Sequence, residues 1–339
     1  MMEFGIFDHV ERKDGMPIAE TYRERWELAR LAEQAGCYCY HVSEHHCTPL
    51  STAPSPNLVV TALAMQTQRL RVGPLGVLLP LYEPLRLVEE VCMLDQLSEG
   101  RLELGLGRGV SRLEVKFFNV DPERTRAMFD EALEVLRRGL TQPVLDFAGE
   151  FYDYDTVPME LTPVQQPLPP IWYPTSSLAS VPWVAKNGFN TVFAGELGHI
   201  AEQVGTYLEN LDPALRGRTR YGVHPFIVVA PTDDEAMQVG EAAYHSHHEN
   251  LSYLRSWSGR GGQMTRTQNL KAPATLAEAV SAGWAAAGSP DSVRGQLSEI
   301  LGKTGCNYVL YTPISGNTPL KFALRALDLF ADKVLPGLS

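Results

Sequence analysis

Four short stretches hold side chains able to bind an anion or move a proton. Arg108 lies in Gly105-Leu-Gly-Arg-Gly109, at the end of LDQLSEGRLELGLGRG (94–109). Its guanidinium is a fixed charge and a planar donor fork, suited to a phosphate. The glycines strip side chains from around it, so a flat or bulky ligand can approach the backbone. Glu44-His45-His46 offers proton transfer near neutral pH. Side chains alternate along a strand, so the adjacent histidines cannot easily face one ligand, which speaks against a metal. A structural histidine in a polar rim is the equal alternative. Thr175-Ser176-Ser177 and Ser180 bring hydroxyls and free backbone N–H groups to a helix start, an anion site or ordinary N-capping. His245-Ser-His247-His248 lacks a clear set of ligands at metal spacing and reads as a solvated face or part of a mobile lid.

The elements that must position these groups alternate along the chain. Apolar runs at Phe4–Phe7, Tyr38–Ser43, Leu70–Leu79, Arg101–Leu106, Pro170–Tyr173, Asn190–Ala194, Gly222–Ala230 and Cys306–Tyr311 read as strands. Helical spacing follows them at Pro17–Gly36, with Tyr22, Trp26, Ala29 and Ala32 on one face, and at Thr52–Gln68 and Glu83–Leu97. Behind Asp121-Pro122, Phe129, Ala132, Leu133, Leu136 and Leu140 line another helix. Further helices are expected at Ser176–Lys186, up to about Leu211, at Thr232–Glu249, after Ser289-Pro290 and at about Leu320–Val334. Gln142–Pro169 is proline-rich, a long excursion or small hairpin. Leu251–Pro273 breaks the rhythm with glycines and polar residues and reads as a mobile loop.

Eight strand–helix alternations point to an α/β fold, a (β/α)8 TIM barrel, with a doubly wound sheet as the runner-up. The expectation is one domain over residues 1–339, with a lid or insertion at about 245–285, before the last strand. Function in such folds gathers at the C-terminal strand ends. Arg108 and the serine-rich helix start then sit on neighbouring strands and form a phosphate cup.

Composition bounds the function. The net charge of −11 argues against a nucleic-acid or anionic-membrane binder. No apolar run is long enough to span a bilayer, and the N-terminal MMEFGIF has no signal pattern, so a cytoplasmic location is expected. The cysteines at 37, 39, 47, 92 and 306 are odd in number and lack zinc spacing, so reduced thiols and no metal are expected.

These residues together resemble the bacterial luciferase-like, flavin-dependent monooxygenases. The resemblance is carried by EHH (44–46), GVLLPLYEPLRLVEE (76–90), LDQLSEGRLELGLGRG (94–109), FDEALEVLRRG (129–139), PVQQPLPPIW (163–172) and TSSLAS (175–180). It implies a (β/α)8 barrel, usually dimeric, that binds reduced FMN at its C-terminal mouth. It further implies phosphate binding by Arg108, Ser176, Ser177 and Ser180, and a non-proline cis peptide at Leu75-Gly76 under the isoalloxazine ring. Gly107 would leave room beside the flavin. His45 matches the active-site histidine, and Glu44 its acidic neighbour. Phe7, Tyr82, Trp172 and Trp257 are candidate wall or lid aromatics. The implied activity is that of a two-component monooxygenase. An NAD(P)H:flavin reductase supplies FMNH2, and O2 oxygenates a small organic substrate through a flavin C4a-peroxide. F420-dependent hydride transfer and a non-catalytic flavin-binding protein are the alternatives. Gly107 replaces a reactive cysteine of the light-emitting enzyme, and the 251–275 loop differs in composition, which speaks against light emission.

Overall fold

The computed structural model describes residues 2–109, 111–253 and 273–338. Its strands are β1 (Glu3–Asp8), β2 (Cys39–Val42), β3 (Arg71–Pro74), β4 (Val77–Leu78) and β5 (Leu104–Gly107). They continue as β6 (Val144–Ala148), β7 (Asp153–Pro158), β8 (Ile171–Trp172), β9 (Thr191–Phe193) and β10 (Tyr221–Val223). The last are β11 (Phe226–Val229), β12 (Ala285–Gly288) and β13 (Tyr308–Tyr311). Helices on the outside connect them in an α/β fold.

A curled parallel sheet runs in the order β3-β2-β1-β13-β10-β9. A second sheet, β4-β5-β8, is also parallel. Isolated parallel bridges join Val72 to Leu102, Trp172 to Asn190 and Thr175 to Phe193. β11 and β12 pair in parallel, and β6 and β7 form an antiparallel hairpin in the proline-rich stretch.

The long strands expected at 70–79 and 222–230 are each broken. The first divides at Leu75-Gly76, whose peptide bond is cis. The second divides at His224-Pro225, because proline brings no N–H to a ladder; β10 stays in the main sheet and β11 leaves it for β12. β12 itself reads AAAG, a poor strand former, and its fully buried position decides its conformation. The expected 245–285 insertion starts inside a helix, Asp233–Ser252, takes in the helix Leu276–Ser281 and ends at Ala285, the first residue of β12. Trp257 and the 254–272 part of the expected loop lie outside the described residues.

Amphipathic spacing places most helices correctly. Thr125–Thr141 buries Phe129, Ala132, Leu133, Leu136 and Leu140, the face expected. Each large apolar side chain so buried is worth about 1.5–3 kcal/mol. Ile18–Gln34 differs: it buries Arg25 and Leu28 in place of Tyr22 and Trp26. The reason is Asp8 at the end of β1, whose carboxylate takes Arg25 Nε at 3.1 Å and the Tyr40 hydroxyl at 2.5 Å. A buried arginine requires such a partner.

Candidate active site

The chain beyond β2 carries Glu44, His45 and His46 in opposite directions. Glu44 is buried and its carboxylate is fully engaged. It accepts from the Leu78 N–H at 3.0 Å and the Tyr82 hydroxyl at 3.1 Å, and lies 2.8 Å from His46 Nε2. Burial, followed by the charge of Glu44, pushes the Tyr82 hydroxyl up, so it remains a donor. Glu44 therefore ties the end of β2 to β4, immediately after the Leu75-Gly76 peptide. His45 instead lies with Nδ1 3.3 Å from Glu114 Oε1, and its side chain keeps 23% of its exposure. The same Glu114 oxygen accepts the His46 backbone N–H at 3.1 Å. The acidic group beside His45 is thus Glu114, where the sequence had suggested Glu44.

Glu114 sits on the short helix Arg112–Phe117, which sequence reasoning missed. A pointer exists: Ser111-Arg-Leu-Glu114 is the S-x-x-E pattern of a capping box. Ser111 does accept the Glu114 N–H at 3.2 Å. The glutamate side chain goes to His45 and His46 instead of back to the cap. Gly109, with a left-handed φ of 84°, turns the chain from Arg108 toward that helix.

Arg108 stands at the end of β5 and is exposed; among the described residues no carboxylate pairs with it. β8 is the neighbouring strand, and the segment after it brings Ser176 and Ser177 to the surface with Ser180 half-buried. Neither Ser177 nor Ser180 makes a side-chain cap bond, so the N-capping use of these hydroxyls is not made. The Ser177 N–H is taken by Thr175 Oγ1 at 3.1 Å. An arginine with no carboxylate partner among the described residues, at the end of the strand next to the one that leads to uncommitted hydroxyls, fits a phosphate-bearing group.

The glycines have steric reasons as well. A Cβ on Gly76 would stand 2.6 Å from Gly105 C, and one on Gly105 would stand 2.2 Å from Pro74 O, so the two backbones touch only because both lack side chains. At Gly107 a Cβ would meet the Leu78 side chain at 3.1 Å. Among the aromatics, Trp172 is a core residue, fully buried with its indole N–H on Glu103, and not a wall of the mouth. Phe7 is half-buried, with its ring centroid 4.7 Å from His9 and 5.0 Å from His224.

Those two histidines have no motif and were missed. His9 follows β1, with Nδ1 2.8 Å from Ser43 Oγ and its ring 5.5 Å from that of His45. His224 follows β10, with Nε2 2.8 Å from Thr312 Oγ1. Of the 245–248 cluster, His245 is solvated as expected, but His247 turns inward. Its Nδ1 lies 2.7 Å from Glu11 Oε1, and its ring is 5.7 Å from His9. Burial holds His9 well below the ordinary histidine range, with the neighbouring imidazoles adding to the effect. Burial likewise takes His224 down to about 4. Burial opposes charge on His247 too, but Glu11 overcomes it and the net shift is upward. Glu11 shifts the opposite way, downward, despite its own burial, as an ion pair requires.

This pair makes stability depend on pH. A raised histidine pKa contributes fully below the ordinary 6.5 and is lost as pH rises through the raised value. His247→Gln should therefore lower Tm most near about pH 6 and least near about pH 9. Differential scanning fluorimetry of both proteins across that range checks this; a deficit constant with pH contradicts it.

Among the described residues no three metal-ligating side chains converge on a point that could hold an ion, and no helix is long and apolar enough to cross a membrane. A family model for luciferase-like monooxygenase matches residues 2–307. The Sinorhizobium fredii protein y4wF is 34% identical over 95% of this chain and 93% of its own length. The oxygenase component of the flavin-dependent trigonelline monooxygenase of Acinetobacter baylyi is 30% identical over 56% of this chain and 53% of that protein. Among solved structures, monooxygenase RslO1 from Streptomyces bottropensis superposes with a TM-score of 0.87 at 25% identity, covering both chains fully. The FMN-bound oxygenating constituent of 3,6-diketocamphane monooxygenase from Pseudomonas putida gives 0.83 at 21% identity, over 100% of this chain and 99% of that one. The F420-dependent tetrahydromethanopterin reductase of Methanopyrus kandleri gives 0.72 at 17%, with the same coverage. The chain belongs to the luciferase-like monooxygenases, a family of flavin-dependent enzymes.

Proposed function

We propose that this enzyme is the oxygenase of a two-component system, taking reduced FMN from a separate NAD(P)H:flavin reductase. The observation that carries the reading is Arg108: a strand-end arginine with no carboxylate partner among the described residues, on the strand next to the one that leads to the uncapped hydroxyls of Ser176, Ser177 and Ser180. These residues hold the FMN phosphate. The Leu75-Gly76 backbone and Gly107 bear on the flavin ring, on the same strand ends as His45. Reduced FMN supplies the oxygen chemistry when bound. The protein's own part is to anchor the phosphate, keep water from the ring and exchange a proton at His45. Glu114 orients His45, and Glu44 positions the β4 backbone through the Leu78 N–H.

The reading takes the fold as one domain, a closed (β/α)8 barrel. Support comes from the bridges Val72–Leu102 and Trp172–Asn190, which link the two parallel sheets at both edges. The reductase partner is supported by the trigonelline relative, an oxygenase component. A homodimer is supported by Leu58, Met65, Met93 and Leu97, exposed on two contacting helices, Pro56–Gln66 and Pro84–Leu97.

Parallel equilibrium titrations with FMN and F420 test the cofactor. FMN should quench on binding at micromolar concentration, with F420 at least about tenfold weaker. The reverse preference replaces oxygenation by F420-dependent hydride transfer.

A further inference from the structure

Two histidines that the mechanism does not use, His224 and His247, are joined through the rings of Phe7, His9 and Phe226 into one wall with fixed hydrogen-bonding character. The Thr312 hydroxyl has one hydrogen, and it goes to the Phe7 carbonyl at 2.7 Å. Toward His224 Nε2, 2.8 Å away, it can only accept. His224 therefore carries its hydrogen on Nε2, and its Nδ1 is a bare lone pair. His247 is fixed in the other sense. Its Nδ1–H is held by Glu11, whose charge favours the protonated ring, and the protonated ring also carries a hydrogen on Nε2. Asn250 Nδ2 holds the second Glu11 oxygen at 2.7 Å, which locks the carboxylate in place. Among the described residues no partner takes His224 Nδ1 or His247 Nε2, and neither is a sealed, orphaned atom. Phe7 lies against His224, and Phe226 lies 5.9 Å from His247, ring to ring. His9 sits between this wall and His45.

We propose that His224 and His247, flanked by Phe7 and Phe226, select an organic substrate bearing a hydroxyl beside a carbonyl, such as an α-hydroxy ketone. The hydroxyl donates to His224 Nδ1, the carbonyl accepts from His247 Nε2–H, and the carbon skeleton lies on the phenylalanines. A plain ketone leaves the His224 lone pair desolvated without a donor, which is how a polar site rejects the analogue lacking one group. This wall deepens the monooxygenase reading above and rests on it.

The test compares 2-hydroxycyclohexanone with cyclohexanone on the full-length, FMN-loaded protein at about pH 6.5. Calorimetry should give the hydroxy ketone an affinity roughly tenfold or more above that of the ketone. His224→Phe should bring the ratio to within about twofold. In the wild-type protein with 15N-labelled histidine, the hydroxy ketone should move the unprotonated-nitrogen resonance of His224, and cyclohexanone should leave it in place. Equal affinities for the wild type, a ratio kept in His224→Phe, or an unmoved resonance overturns the proposal. The same NMR titration without FMN, with FMN fluorescence titration alongside, separates the two readings. Absent FMN binding with the His224 shift intact rejects the flavin assignment and keeps the wall.

Discussion

Arg108→Ala is expected to weaken FMN binding by at least about tenfold and to leave riboflavin within about twofold. The two ligands differ only in the phosphate, so the comparison isolates the group that Arg108 is proposed to hold. Hydrogen bonds to charged groups contribute about 1.5–3 kcal/mol. Arg108 is exposed, and solvent screening places its share at the lower end. One such bond corresponds to about tenfold. The free protein should not suffer, because Arg108 is exposed and pairs with no carboxylate among the described residues. Fluorescence titration of both ligands against both proteins decides it. Equal weakening of FMN and riboflavin would place Arg108 against the ring or in the fold, away from the phosphate.

His45→Gln should lower turnover by roughly a hundredfold or more with FMN affinity unchanged within about twofold. Positioned proton transfer contributes on the order of 10²–10⁴ to rate, far more than an orienting hydrogen bond. Glu114→Gln keeps an acceptor at the same atom and should cost roughly tenfold or less. Loss of FMN affinity in His45→Gln, with turnover unchanged once the protein is saturated, would move His45 from proton transfer to cofactor binding. Glu44 makes a useful contrast. Its carboxylate faces His46, Tyr82 and the Leu78 N–H, so Glu44→Gln should act on the β4 backbone and not on the proton at His45.

Much of this architecture was legible in the chain because its strands are short apolar runs that alternate with stretches of helical spacing. FGIF, LGLG and YVLY each became parallel strands where expected. Local pattern failed where a distant partner decided the outcome. AAAG became a strand because β11 pairs with it. Arg25 went inward because Asp8 and Tyr40 were waiting at the ends of other strands. The phosphate candidates could be found from residue type, since an arginine among glycines stands out. The partner of His45 could not, because Glu114 is 69 residues away and sits on one short helical turn. His9, His224 and His247 come from three separate segments, and no spacing rule joins them. Their meeting is a property of the curled sheet, which brings β1 and β10 to either side of β13.

The central claim is that reduced FMN on this protein delivers oxygen to an organic substrate. Incubation under 18O2 with NADH, FMN, a flavin reductase and a panel of cyclic and open-chain carbonyl compounds tests it directly. Mass spectrometry should find a product carrying one 18O atom, formed only when both the protein and reduced FMN are present. Unlabelled products across the panel, together with substrate reduction by F420H2 in the absence of oxygen, would contradict the account.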